Sequence, residues 1–225
     1  MTDKKTVNIP YVPQLDTLDN AEDVAALLDR CGVRRTIGTL NWPAQYPYKP
    51  LTTFTAANSG THLYIDFFVR CNYLRAENSA NQSPVSQDSC VEFFVDPLCD
   101  GHYWNFEFNC IGAVNASHRR ERADKTPLTD AELDTIRRYA SAGTRPFREL
   151  EGMFAWNLLV AIPLSLIGVQ YSPDRAVAMA GNFYKCASAT SAPHYLSWSP
   201  IDAPKPDFHR PEFFGTVVLD AAAQE

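Results

Sequence analysis

The sequence predicts an all-β fold, an antiparallel β-sandwich carrying one or two short peripheral helices. Three observations predict it. Short stretches alternate apolar and polar residues with a period of two, most clearly over Tyr103 to Cys110, which is the pattern of a strand with one buried face. Turn signals recur between these stretches, as they do in sandwiches. Sixteen prolines stand against 10 glycines, a balance that favours rigid turns over long helices.

Each element follows in chain order. Ala21 to Cys31 has amphipathic helical spacing, with Asn20 as its cap and Asp23 at the third helical position. Asn41 to Pro50 is rich in proline and aromatics and reads as an extended surface segment. Thr52 to Asn58 is a first strand. Over His62 to Cys71, Leu63, Ile65, Phe67 and Val69 face one way and Tyr64, Asp66, Phe68 and Arg70 the other. A loop of Asn, Ser and Gln fills Asn72 to Gln87. In Ser89 to Pro97, Val91, Phe93 and Val95 oppose Glu92, Phe94 and Asp96; Cys99 to His102 then turns the chain.

In Tyr103 to Cys110, Trp104, Phe106 and Phe108 share a face opposite Asn105, Glu107 and Asn109. Ala113 to Ser117 continues the hairpin after Gly112. Asp124 to Ala142 reads as a second helix starting at Thr129 or Asp130, with Leu133, Ile136 and Arg137 on one stripe, lying over a sheet edge. Strands resume at Arg145 to Leu150, Phe154 to Ile162, Ala176 to Cys186, His194 to Trp198 and Phe214 to Leu219. With no internal repeat, residues 1–225 read as one domain of immunoglobulin- or jelly-roll-like architecture.

Composition narrows the function. The 225 residues are 45% hydrophobic and 12% aromatic, enough for a sizeable core. A net charge of −6 speaks against nucleic acid as partner. The basic run Arg119-Arg120-Glu121-Arg122 is short and interrupted, and reads as a solvated loop. No apolar run approaches the ~20 residues that span a bilayer. Met1 to Lys5 leads into no apolar stretch of a signal peptide, which places the chain in the cytoplasm unless an export signal has been removed. The six cysteines (Cys31, Cys71, Cys90, Cys99, Cys110, Cys186) form no zinc-spaced set. Cys71, Cys90 and Cys110 sit in apolar stretches and read as buried free thiols, with disulfides open only to an exported protein.

Taken together, the non-core positions of the best strands are Asp66, Arg70, Glu92, Asp96, Asn105, Glu107, Asn109, Asn182 and Tyr184, with Phe68 and Phe94 among them. If these strands are neighbours, they form a polar face with interleaved rings. Sugars suit such a face, because hydroxyls need paired donors and acceptors and sugar C–H faces stack on flat rings. An ordinary solvated sheet face looks the same. Trp104 and Trp156 have core parity, whereas Trp42 and Trp198 are harder to place in a core. The loop Ser199 to Pro211 holds four prolines, which stiffen it before any binding. Its Phe208 is either a stacking platform or tucked inward, and its Arg210 a donor to hydroxyls.

Several segments resemble the family 9 carbohydrate-binding module. They are His62 to Val69, Asp88 to Pro97, Phe106-Glu107-Phe108-Asn109, Trp156 to Ile162, and the ending Leu196-Ser197-Trp198-Ser199 through Pro211-x-x-Phe214-Gly215 to Leu219. The resemblance covers about residues 40–219. It implies a β-sandwich that binds sugars, in some members at chain ends between two aromatic rings, with structural calcium in some. By position it makes Glu92 the acidic hydrogen-bonding residue, Asn182 an amide partner and Phe208 a stacking residue. Three departures stand out. Val85-Ser86-Gln87 occupies the place of the other stacking ring, Glu107 stands where a member has arginine, and one extra residue separates Asp88 from Glu92.

The leading function is therefore non-catalytic binding of a mono- or oligosaccharide through Glu92, Glu107, Asn182, Phe208 and Arg210, with Trp198 supporting the loop. The enzyme alternative uses Glu92 and Glu107 as a glycosidase pair, which works at ~5–10 Å; no G-x-S-x-G, H-E-x-x-H, P-loop or dinucleotide motif is present. A haem or protein-interaction sandwich is the third reading, although Met153 and Met179 pair with none of His62, His102, His118, His194 or His209 in the sequence. The Asp96 to Asp100 turn offers oxygen ligands to calcium, or is simply a turn.

Overall fold

Residues 4–223 are described by the structure, a computed structural model; Met1 to Asp3 of the leading segment, Gln224 and Glu225 lie outside the described residues. Two sheets form the predicted sandwich. The larger runs β1 (Thr6–Ile9), β14 (Gly215–Leu219), β12 (Val177–Ala187), β6 (Cys90–Asp96), β7 (Tyr103–Asn109), β8 (Val114–Arg119) and β9 (Lys125–Pro127). On a side branch, β13 (His194–Ser197) pairs with β12, and β3 (Thr39–Leu40) pairs with β13. The smaller sheet runs β10 (Arg137–Ala140), β11 (Phe147–Pro163), β5 (His62–Ala76), β4 (Leu51–Asn58) and β2 (Val33–Thr36). The pairing is antiparallel except for β1 beside β14, which run parallel.

The core sits where the alternation puts it. Val91, Phe93 and Val95 of β6, with Phe106 and Phe108 of β7, point inward at Ile65, Phe67 and Val69 of β5. The Phe54 and Phe183 rings, one from each sheet, stack with centroids 3.7 Å apart. Burying each such ring contributes about 1.5–3 kcal/mol. Helix α1 (Ala21–Cys31) forms as the sequence predicts, with Asn20 Oδ1 accepting from Asp23 N at 2.8 Å. Its Val24 and Leu28 pack beside Tyr64 and Leu159 on the outer face of the smaller sheet.

The second helix is much shorter than expected. Only Asp130–Asp134 (α2) is helical, closed at its start by a capping box between Thr129 and Glu132. Pro127 blocks a helix upstream. Downstream, Arg137–Ala140 gains ladder bonds as an edge strand against β11. The strands expected at Arg145 to Leu150 and Phe154 to Ile162 are not separate but merge, from Phe147 on, into β11, which absorbs two register shifts against β5. Strand β5 continues to Ala76 because Leu74 and Ala76 are buried again once the ladder with β11 has shifted register after Cys71, which shortens the following loop.

Two tryptophans thought hard to place in a core are buried. Trp198 meets Phe54 and Phe183 edge-on at 6.4 and 5.8 Å. Trp42 lies under the C-terminal loop and donates from Nε1 to Ala203 O at 2.7 Å. Trp156 is core as expected, whereas Trp104 is half-buried at the core rim against His118. Gly215 explains the glycine of the ending, since a Cβ there would lie 2.5 Å from Lys5 O and 2.7 Å from Trp198 Cζ3.

Candidate functional site

The nine polar-face residues do not share one face. Asp66 and Arg70 belong to the smaller sheet, and the rest to the larger. On the larger sheet the register lays the outward residues in rungs. One rung reads Ser197, Tyr184, Glu92, Glu107, Asn115 across β13, β12, β6, β7 and β8. The next reads Tyr195, Cys186, Cys90, Asn109.

This face is covered rather than solvated. The 199–211 loop folds back over it, and the Phe208 ring stacks on the Tyr184 ring at 4.2 Å. Tyr184 Oη donates to Phe208 O at 3.2 Å. His209 Nδ1 and Tyr103 Oη share a hydrogen bond of 3.0 Å, and the His209 ring lies 4.9 Å from Phe94. Arg122 Nη1 reaches Asp207 Oδ1 at 3.4 Å, tying the turn after β8 to the loop.

Between sheet and loop remains a cavity of about 300 Å³. Glu92, Glu107 and Cys186 form its floor, and Pro206 to His209 its roof. Ser86, Ser188, Tyr195 and Arg122 complete the wall.

Burial dominates the electrostatics. Glu92 is 2% exposed and is pushed well above its ordinary value by burial, with the Cys186 thiol and Glu107 adding to the effect. Cys186 Sγ donates to Glu92 Oε1 at 3.1 Å. Glu107 is pushed up to about 7 by burial, against the opposing pull of Arg119. It accepts from Asn105 Nδ2 at 3.0 Å, and Arg119 Nε donates to Asn105 Oδ1 at 2.5 Å. Two carboxyls directly opposed across neighbouring strands cannot both ionise easily, so the pair holds a proton near neutrality. Burial and the nearby arginines push His209 down to about 3, leaving the imidazole neutral.

Of the residues singled out in the sequence, the cavity brings together Glu92, Glu107 and Phe208. Asn182 is fully buried and spent on the backbone, donating to Ser199 O and accepting from Ser199 N. Trp198 lies in the core between the sheets, on the far side of β12. Arg210 points away and pairs with Glu212 at 2.7 Å over the Phe213 ring. Phe208 takes the inward option, with only 8% of its surface exposed.

Sequence reasoning missed Tyr195, Cys186 and Arg122. The first two share the outward parity of Glu92, a signal readable only once β12 and β13 are known as neighbours. Arg122 sits in the run that reads as a solvated loop. In the Asp96 turn, the Asp96 carboxylate accepts from Asp100 N and Gly101 N at 3.3 and 2.8 Å. Met179 is core and Met153 is exposed, so neither meets a cavity histidine.

The model of carbohydrate-binding family 9 matches residues 22–219. Among solved structures, the chain is similar to a Bacteroides uniformis protein inferred to bind carbohydrate, at 33% identity and a TM-score of 0.87, with 96% of this chain and 99% of that chain covered. It is also similar to a family 9 carbohydrate-binding module of Caldicellulosiruptor kristjanssonii in complex with cellotriose, at 14% identity and a TM-score of 0.59, over 98% and 96% of the two chains. The likeness to a family 9 module of the same organism in complex with glucose has 16% identity and a TM-score of 0.55, over 98% of each chain. At these identities the last two carry the fold alone. No curated protein sequence matches the chain.

Proposed function

The chain belongs to carbohydrate-binding family 9, and from that membership we propose that it binds carbohydrate without transforming it, in the cavity between the larger sheet and the 199–211 loop. The observation that carries the reading is the pair of buried carboxyls, Glu92 and Glu107, on the cavity floor. A carboxyl that keeps its proton both donates and accepts, which matches a sugar hydroxyl. Tyr195 is half-buried at the wall and braced edge-on by Tyr46 at 4.8 Å, so its ring offers a flat surface to sugar C–H groups. Arg122 and the serine hydroxyls add donors at the rim.

The cavity, at about 300 Å³, lies at the small end of ligand pockets and suits one sugar ring rather than a chain segment. Glucose and cello-oligosaccharides are the first ligands to try, by analogy with the modules captured with them.

The test is calorimetry and a glycan array on wild type beside Glu107→Gln and Tyr195→Ala. At least tenfold weaker binding in both variants, without a lower melting temperature, is the expected result. Absence of binding to any mono-, oligo- or polysaccharide would sink the reading. The same samples are followed for release of new reducing ends, because hydrolysis would assign the carboxyl pair to a glycosidase instead.

A further inference from the structure

Cys186, on the cavity floor, stands directly opposite Cys90 across β12 and β6. The Glu92 carboxyl reaches both. Its Oε1 lies 3.1 Å from Cys186 Sγ and 3.8 Å from Cys90 Sγ. One ligand atom from each of the three residues lies within 4.8 Å of the other two. We propose that Cys90, Cys186 and Glu92 form a binding site for a thiophilic divalent cation, of which Zn²⁺ fits the geometry.

The spacing is that of a tetrahedral ion. Zn–S bonds of about 2.3 Å and a Zn–O bond of about 2.0 Å hold sulfur and oxygen about 3.5 Å apart, which lies between the two separations here. Glu92 is 2% exposed and Cys90 and Cys186 are 0% and 2% exposed, and no ion pair reaches the Glu92 carboxyl among the described residues. Binding of the ion displaces the protons of the two thiols and of the Glu92 carboxyl, and the ion itself then compensates the buried anionic ligands. Lys185 does not take that role, because its Nζ donates to Cys186 O at 2.6 Å from the core side of β12. Two thiols and one carboxylate select soft ions over calcium or magnesium.

Access and coordination number follow from the cavity. Glu92 and Cys186 line it, so the ion enters there and its fourth position faces the open space, available to water. Three protein ligands plus one open position is the pattern of a zinc site that can take an exogenous oxygen. The site shares Glu92 and the cavity with the sugar reading, and its probe, the metal ion alone, tests it without carbohydrate.

The experiment titrates the full chain, kept reduced, with Zn²⁺ alone in competition with a chromophoric chelator, and separately with Co²⁺ as a spectroscopic probe. One equivalent of Zn²⁺ is expected, with thiolate-to-metal charge-transfer absorption and tetrahedral visible bands from the Co²⁺ form. Cys186→Ser, at the cavity floor, is expected to weaken Zn²⁺ binding at least tenfold while near-ultraviolet circular dichroism stays native. If that variant does not fold, the Co²⁺ spectrum of wild type decides alone. Failure to take up stoichiometric Zn²⁺, a Co²⁺ form without the thiolate band, or unchanged affinity in a folded Cys186→Ser overturns the proposal. Isolation of Cys90 and Cys186 as a disulfide overturns it as well.

Discussion

The Phe208 ring lies on the Tyr184 ring with centroids 4.2 Å apart and planes 8° from parallel. One face of Phe208 is therefore occupied by the protein itself. The ring anchors the roof of the cavity, and only its rim is left for a ligand.

Phe208→Ala is expected to release the 199–211 loop and to lower stability by about 3 kcal/mol, the usual cost of removing a buried Phe. Thermal unfolding measures the loss, and hydrogen exchange locates it in the loop. An unchanged melting temperature would show that Trp42 and Ile201, buried in the same cluster as Phe208, hold the loop without it. The variant reports anchoring first, which is why Tyr195 is the cleaner probe of sugar stacking.

Glu107 carries a pH signature. Its carboxyl is held at about 7, above the ordinary 4.5, so between those values the folded chain keeps a proton that the unfolded chain has released. The associated stability is fully present below about pH 4.5 and is lost as pH rises through about 7. Glu107→Gln removes the loss. It should exceed wild type by at most about 3 kcal/mol above pH 8 and match it near pH 4. Urea unfolding across that range is the measurement, and equal stability at high pH would mean that Arg119 fully compensates the charge.

His209 gives the opposite slope. Its imidazole is pushed down to about 3 from 6.5, so the unfolded chain takes up a proton that the native chain refuses. Stability from this residue is present above pH 6.5 and falls as pH drops toward 3, by about 1.4 kcal/mol per pH unit. His209→Gln should flatten that acid limb in the same unfolding series. An unaltered slope would place the acid sensitivity elsewhere.

Gly215 tests backbone approach. A Cβ there would press on Lys5 O at 2.5 Å and on the Trp198 ring at 2.7 Å. Gly215→Ala is expected to cost about 1–3 kcal/mol, as overpacking does, and to separate β1 from β14. Amide exchange at Val7 and Ile9 would speed up accordingly. Native exchange rates in the variant would show that the strand shifts freely.

Much of the sandwich was legible because its central strands bury one face and so alternate strictly, as in Val91 to Val95 and Phe106 to Phe108. The edge strands β2, β3, β9 and β10 were not. They are two to four residues long, too short for a period to emerge, and they exist because a neighbour supplies their hydrogen bonds. Parity picked out Glu92 and Glu107 correctly as outward residues. It could not say which strands adjoin, and so it joined Asp66 and Arg70 of one sheet to residues of the other. The covered state of the face was invisible for a related reason. Trp42 and Phe208 lie in proline-rich segments without periodicity, where only tertiary contact decides between exposure and burial.

The parallel pairing of β1 with β14, Thr6 opposite Thr216 through Ile9 opposite Leu219, fixes how the protein bears a pull. A force that draws the chain leading into β1 away from the chain leaving β14 acts along both strands in opposite senses. It loads their cross-strand hydrogen bonds together, in shear, instead of opening them one at a time. In this direction the β1–β14 pair is a mechanical clamp.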